Sequence, residues 1–196
     1  MSTLISAGSG RDAASLLNDL AKNVKRHISE GYGDFLEALR DRIRGAEKVR
    51  HIVESGKGRV EIIERDRGRE LRISFLPSST SRNGSYFVSV TRDRFTCTCT
   101  DFMYNAIWFE RAVLSRYRDT AAIDIERMRN ISICKHVIAA IDIAIRKHVL
   151  RIGDERLRDT MVLGLFALAA RYTKKMVEIP EHMLIRRRII DISGNR

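Results

Sequence analysis

Residues 95–101 read FTCTCTD and residues 132–139 read SICKHVIA, and these two stretches hold all three cysteines of the chain. One residue separates Cys97 from Cys99, one separates Cys134 from His136, and 134 − 99 − 1 = 34 residues lie between the pairs. On an extended strand, residues i and i+2 point to one side with Cα atoms about 6.6 Å apart. Cys97 and Cys99 can therefore lean toward one ion while Thr98 points away. On a helix, i and i+2 diverge, so Cys134 belongs just ahead of a helix and His136 in its first turn. That placement sets the Cys134 sulfur beside the positive helix end, which favours the thiolate. Three thiolates and one imidazole form a standard tetrahedral set for zinc, and a site closed by four protein ligands is structural. The reading is one structural zinc ion on Cys97, Cys99, Cys134 and His136, with Arg92, Arg94 and Lys135 near in sequence to offset its negative charge.

Three other uses of these residues compete with that reading. A Cys–His nucleophilic pair needs an orienting third member, and none is apparent in the sequence. A redox Cys-x-Cys leaves Cys134 and His136 unexplained, and the cysteines can simply be buried. An odd number of thiols cannot all pair within the chain, and disulfides are unusual in the cytosol. The expectation is a non-enzyme.

The rest of the chain is read outward from this centre. Residues 12–28 carry Ala13, Leu16, Leu17, Leu20, Ala21 and Val24 at helical spacing behind a capping Asp12, and after Gly31-Tyr32-Gly33 a second helix is expected behind Asp34. The period then becomes two. Val60 and Ile62 suggest one strand, Leu71, Ile73 and Phe75 a second, Phe87, Val88 and Val90 a third, and Phe95 leads a short fourth into the cysteines. Residues 91–94 have the length of a hairpin turn, and residues 77–84 (PSSTSRNG) are a polar loop. Helical spacing returns at 102–118, followed by a charged stretch to 130. Further helices are expected at 135–149, with His148 on the apolar side, and at 156–175. The fold class is α+β, a small antiparallel sheet with a zinc-stapled helix, flanked by N- and C-terminal helices. The expected units are a helical hairpin over 1–57, a zinc-binding domain over 58–150 with a helical insertion at 102–130, and a helical extension over 151–196.

The pattern Cys-x-Cys, gap, Cys-x-His, preceded by strands (YFVSV, FTCTC) and opening an apolar helix, resembles the SWIM zinc finger over roughly residues 58–149. Asp101-Phe102 after the second cysteine and Ala139, three residues after His136, extend the likeness. That Ala marks the SWIM subgroup containing the Shu-complex subunits and their archaeal relatives. The resemblance implies a ββα zinc unit and an accessory role in homologous recombination or repair, beside a RecA-like recombinase paralogue. The long gap departs from the family and implies an inserted helix over the site.

Composition bounds the partners. Net charge is +11 and the pI about 10.1, so polyanions are attracted. The basic residues divide as 28 Arg and 8 Lys, a bias that suits phosphate binding and equally suits a genomic or thermophilic origin. Many stand beside acids, as in Glu64-Arg65-Asp66-Arg67, so part of the charge is an ion-paired surface. DNA is the expected partner, with Arg92, Arg94, Lys135 and the cluster Arg186-Arg187-Arg188 as candidate contacts; a pure protein-interaction module is the alternative. Trp108, Tyr104 and Phe109 can stack bases beside Arg111 and Arg116, although core packing is the plainer expectation. The helix around 161–170 is apolar on nearly every side, so it lies in the core or meets a second copy of the chain. GSGR at residues 8–11 lacks the ending of a phosphate loop. No apolar run reaches the roughly 18 residues of a membrane span, no secretion signal is apparent, and a cytoplasmic location, nucleoid-associated if the source is prokaryotic, is expected.

Overall fold

The computed structural model describes residues 12–66, 68–75, 85–114, 131–173, 177–180 and 183. The chain runs through α1 (Ala13–Val24), a short 3-10 turn, and α2 (Tyr32–Ile52). Strands β1 (Gly58–Arg65), β2 (Gly68–Phe75), β3 (Tyr86–Val90) and β4 (Phe95–Cys97) follow, then α3 (Thr100–Ala112), α4 (Lys135–Arg146) and α5 (Glu155–Tyr172). The four strands form one antiparallel sheet in the order β1-β2-β3-β4. The α+β class is therefore as expected. Among the described residues, no helix is long and apolar enough to cross a membrane.

Strand register follows the alternation. Val60 and Ile62 lie opposite Ile73 and Leu71, which lie opposite Val88 and Val90, and these in turn face Cys97 and Phe95. Leu71, Ile73, Val88, Val90 and Phe95 are fully buried on that face. Helix α4 lies against it, with β2, β3 and β4 on one side and α1 and α2 on the other. Every residue from His136 to Ala144 is accordingly buried. Ala139, Ala13 and Ala46 line one narrow recess between α4, α1 and α2, so a small residue at 139 lets the three helices approach. Helix α5 contacts α1, α2 and α3, and one apolar core runs from Ala13 to Ile179.

Several expectations change. Asp12 caps α1 as expected, accepting from Ser15 N at 2.8 Å. The second helix, however, starts at Tyr32 behind Gly31, whose φ of +76° only glycine adopts readily, and a Cβ there would sit 2.9 Å from Thr173 Cα. Asp34 instead falls in the first turn, where the helix dipole favours an acid. Helix α4 ends at Arg146, so His148 is exposed past its end with φ 55° rather than on the apolar side. All residues from Leu163 to Ala170 are buried within the chain, so this apolar stretch lies in the core. Core packing also fails for two of the four α3 aromatics: Phe102 and Phe109 are buried, but Tyr104 and Trp108 are exposed. The loop expected at 77–84, the charged stretch to 130 and Arg186-Arg187-Arg188 lie outside the described residues.

On the sheet's other face, Glu70 accepts from Arg72 Nε at 2.6 Å, Ser89 Oγ at 2.6 Å and Arg65 Nε at 2.8 Å. Burial alone raises its pKa, yet these donors together hold it down to about 2 from an ordinary 4.5. The unfolded chain then takes up this proton at higher pH than the folded one. The stabilisation is present above about pH 4.5 and is lost as pH falls toward 2. Glu70→Gln is expected to be less stable than the wild type at neutral pH, and the gap to close on acidification, as read by denaturant titration across that window. A second expectation concerns Gly164 on α5, where an added Cβ would meet Ile133 Cγ1 at 2.6 Å. Gly164→Ala should lower the melting temperature despite a helix-propensity gain of about 1 kcal/mol, as read by a thermal melt of the two proteins.

Candidate metal centre

Cys97 is the last residue of β4, and the chain stays extended through Thr98, which pairs with Phe87 (Thr98 N to Phe87 O 3.0 Å, Phe87 N to Thr98 Oγ1 2.9 Å). Thr98 is exposed while its two neighbours are buried, as the alternation requires. Cys99 is the residue before α3, its Sγ accepting from Phe102 N at 3.4 Å. Cys134 precedes α4 in extended conformation (φ −122°, ψ 170°), and His136 stands in the first turn. Two of the sulfurs thus sit at helix N-termini. The expectation located one of these; the one at α3 arises because that helix starts directly after the second cysteine.

The four side chains are all buried, and one donor atom from each lies within 4.8 Å of the others. Tetrahedral metal–thiolate bonds of about 2.3 Å place the sulfurs about 3.8 Å apart, so a small contraction closes the cluster on a cation. His136 Nδ1 is buried with no hydrogen-bond partner among the described residues. Buried polar atoms without partners are costly, and three thiols with an imidazole gathered this closely are a donor set that one shared cation satisfies. The cluster can hold one metal ion. Once closed by four protein donors, such a site has no position for a substrate.

Without an ion the three thiols compete. Cys99 accepts hydrogen bonds from Cys134 and Cys97, which depress its pKa and make it the first to ionise. Burial, then the neighbouring Cys97 and Cys99, pushes Cys134 well above its ordinary value. At Cys97 the hydrogen bond with Cys134 works downward, but the bond with Cys99 and burial outweigh it and raise the thiol to about 12. One negative charge is accommodated readily and the second and third are not, until a cation supplies the compensation.

Two groups that sequence reasoning passed over fix the centre. Phe75 and Tyr86 are directly paired across β2 and β3, and their rings lie 5.4 and 5.2 Å from the His136 ring, holding its plane. An aromatic at each end of the 76–85 connection was the available signal. Next to Cys99, Asp101 accepts from Arg42 Nη2 at 2.5 Å and Arg171 Nη1 at 3.0 Å, while Arg171 also reaches Asn105 Oδ1 at 2.8 Å. This network ties the start of α3 to α2 and α5. Its partners lie 59 and 70 positions away along the chain, a separation that no local pattern signals.

Of the candidate nucleic-acid residues, Arg92, Arg94 and Lys135 lie among the described residues. Arg92 and Arg94 stand in the β3–β4 turn, where Arg92 O accepts from Thr160 Oγ1 at 2.9 Å and Arg92 Nε lies 3.5 Å from Asp93 Oδ2. Arg94 is exposed. Lys135 is exposed between the two α4 donors, its stem running over Gly45 of α2. No family model, curated protein or solved structure gives a significant match to this chain.

Binding a cation must expel protons from raised thiols, so affinity should increase with pH, by about tenfold per unit for each proton released. Competition with a chromophoric chelator at several pH values measures that slope. Cys134→Ser should lose the bound metal and lower the melting temperature sharply, because binding and folding energy are shared at such a site.

Proposed function

We propose that this chain is a SWIM-type zinc-binding protein that contacts DNA and serves as an accessory factor in homologous recombination or repair, beside a RecA-like recombinase paralogue. The observation that carries the reading is the closed Cys97–Cys99–Cys134–His136 cluster, at the junction of a strand end and two helix starts. Three sulfurs and one imidazole gathered within 4.8 Å suit zinc. All four positions are taken by buried protein groups, so the ion staples the sheet to α3 and α4, and no catalytic role is assigned to it. The resemblance to the SWIM pattern supplies the recombination context, and the small Ala139 has a packing reason for its place. The net charge of +11 supports a polyanionic partner.

A second reading, a protein-interaction module with incidental charge, is favoured by how many arginines are already engaged with acids. Arg50 and Arg146 share Asp142 at 2.8 and 3.1 Å, Arg65 and Arg72 share Glu70, and Arg69 meets Glu64 at 3.0 Å.

Purified protein should contain one equivalent of zinc. DNA binding should be detectable near 50 mM salt and weaken about ten- to hundredfold by 200 mM, as release of counterions from a few phosphates requires. Replacing Arg186, Arg187 and Arg188 together by Ala should flatten the salt slope. Undetectable binding at low salt would leave the protein-interaction module as the reading.

A further inference from the structure

Helix α3 has two contrasting sides. Phe102, Asn105, Ala106 and Phe109 are buried, whereas Met103, Tyr104, Ile107 and Trp108 are 48, 53, 44 and 47% exposed. Exposed apolar side chains grouped on one helix face, unlike scattered ones, mark a contact surface. We propose that this face binds single-stranded DNA by base stacking on Tyr104 and Trp108, an inference that rests on the DNA-binding reading above.

Three observations select this occupant. Tyr104 and Trp108 are one helical turn apart, about 6 Å along the axis, so both rings are offered on the same side to successive bases. The surroundings are cationic. The Arg171 guanidinium lies 5.8 Å from the Tyr104 ring centre, and it shares the single carboxylate of Asp101 with Arg42, two positive charges against one negative. Arg111 continues the same face three residues after Trp108. Finally, the fully exposed positions of α3 (Thr100, Met103, Tyr104, Ile107, Trp108 and Arg111) include no acid, while its two acids, Asp101 and Glu110, are half-buried and Asp101 is shared by two arginines. Aromatic rings with guanidinium groups beside them suit a strand whose bases are free to stack and whose phosphates are negative. A duplex keeps its base faces covered and gives the rings nothing to stack on. Met103 and Ile107 supply apolar flanks to the same platform.

Trp108 is the only tryptophan of the chain, so its fluorescence reports on this face alone. The zinc-loaded full chain is titrated at low salt with an end-labelled oligodeoxythymidine, following label anisotropy and tryptophan emission together. Binding should quench Trp108, and a duplex of equal length should not. Tyr104→Ala and Trp108→Ala should each weaken the oligonucleotide about 5- to 100-fold without changing the salt slope, because stacking is lost and phosphate contacts are kept. Trp108→Phe should retain most of the affinity, and zinc content should remain at the wild-type value in all three variants. An anisotropy rise without quenching, unchanged in Trp108→Ala, would overturn the stacking face and leave DNA binding standing. No anisotropy rise with either single strands or duplex would overturn the DNA reading and this inference with it. A concentration-dependent dimer that Trp108→Ala dissolves, with oligonucleotide affinity unaltered, would assign the face to a second copy and overturn the proposal.

Discussion

Three thiols and an imidazole gathered inside a small domain are an unfavourable group to bury. Each sulfur raises the cost of ionising the next, and the His136 ring carries an unpartnered buried nitrogen. A single cation reverses the sign of that interaction, turning mutual repulsion into shared attraction. The surrounding structure depends on this because the four donors come from separated elements. Cys97 ends β4, Cys99 begins α3, and Cys134 and His136 open α4. Helix α4 is the middle layer between the sheet and the remaining helices, so drawing the four donors together also sets that layer's position.

A second device, besides the candidate metal cluster, holds α3 in place. Asp101, two residues beyond Cys99, takes the guanidinium groups of Arg42 and Arg171 from two other helices. Arg42 is itself buried, which makes its pairing a requirement rather than an ornament. The consequence is a helix clamped at its first turn on one side and left uncovered on the other among the described residues. A rigid backbone beneath exposed aromatic rings reduces the ordering cost of any ligand that stacks on them. A candidate metal ligand, a buried ion network and an exposed face thus occupy successive positions of one short segment.

Much of this was legible in the residues alone. The period-two runs located all four strands, and the Cys-x-Cys and Cys-x-His spacings anticipated a strand end and a helix opening, because ligand geometry and backbone period admit few combinations. The misreadings have a common cause. Trp108 and Tyr104 were expected inside because aromatic residues usually are; a helix with apolar residues on several sides does not reveal which side the fold covers. His148 matched the helical spacing of α4 but fell beyond its end, since spacing does not specify where the chain turns. Asp34 looked like a cap, yet Gly31 starts that helix through a positive φ and a close approach to Thr173.

The sequence by itself determined the class of the fold, the strand alternation and which four residues could serve as donors, since these depend on residue type and on spacings of a few positions. The tertiary structure alone decided that the donors meet within 4.8 Å across a 34-residue gap. It also set Phe75 and Tyr86 against His136, and paired Asp101 with arginines far away in the chain. Burial decided the rest: Met161–Ala170 went inward and half of α3 stayed outward, because the direction an apolar side faces is fixed by what the other elements leave uncovered.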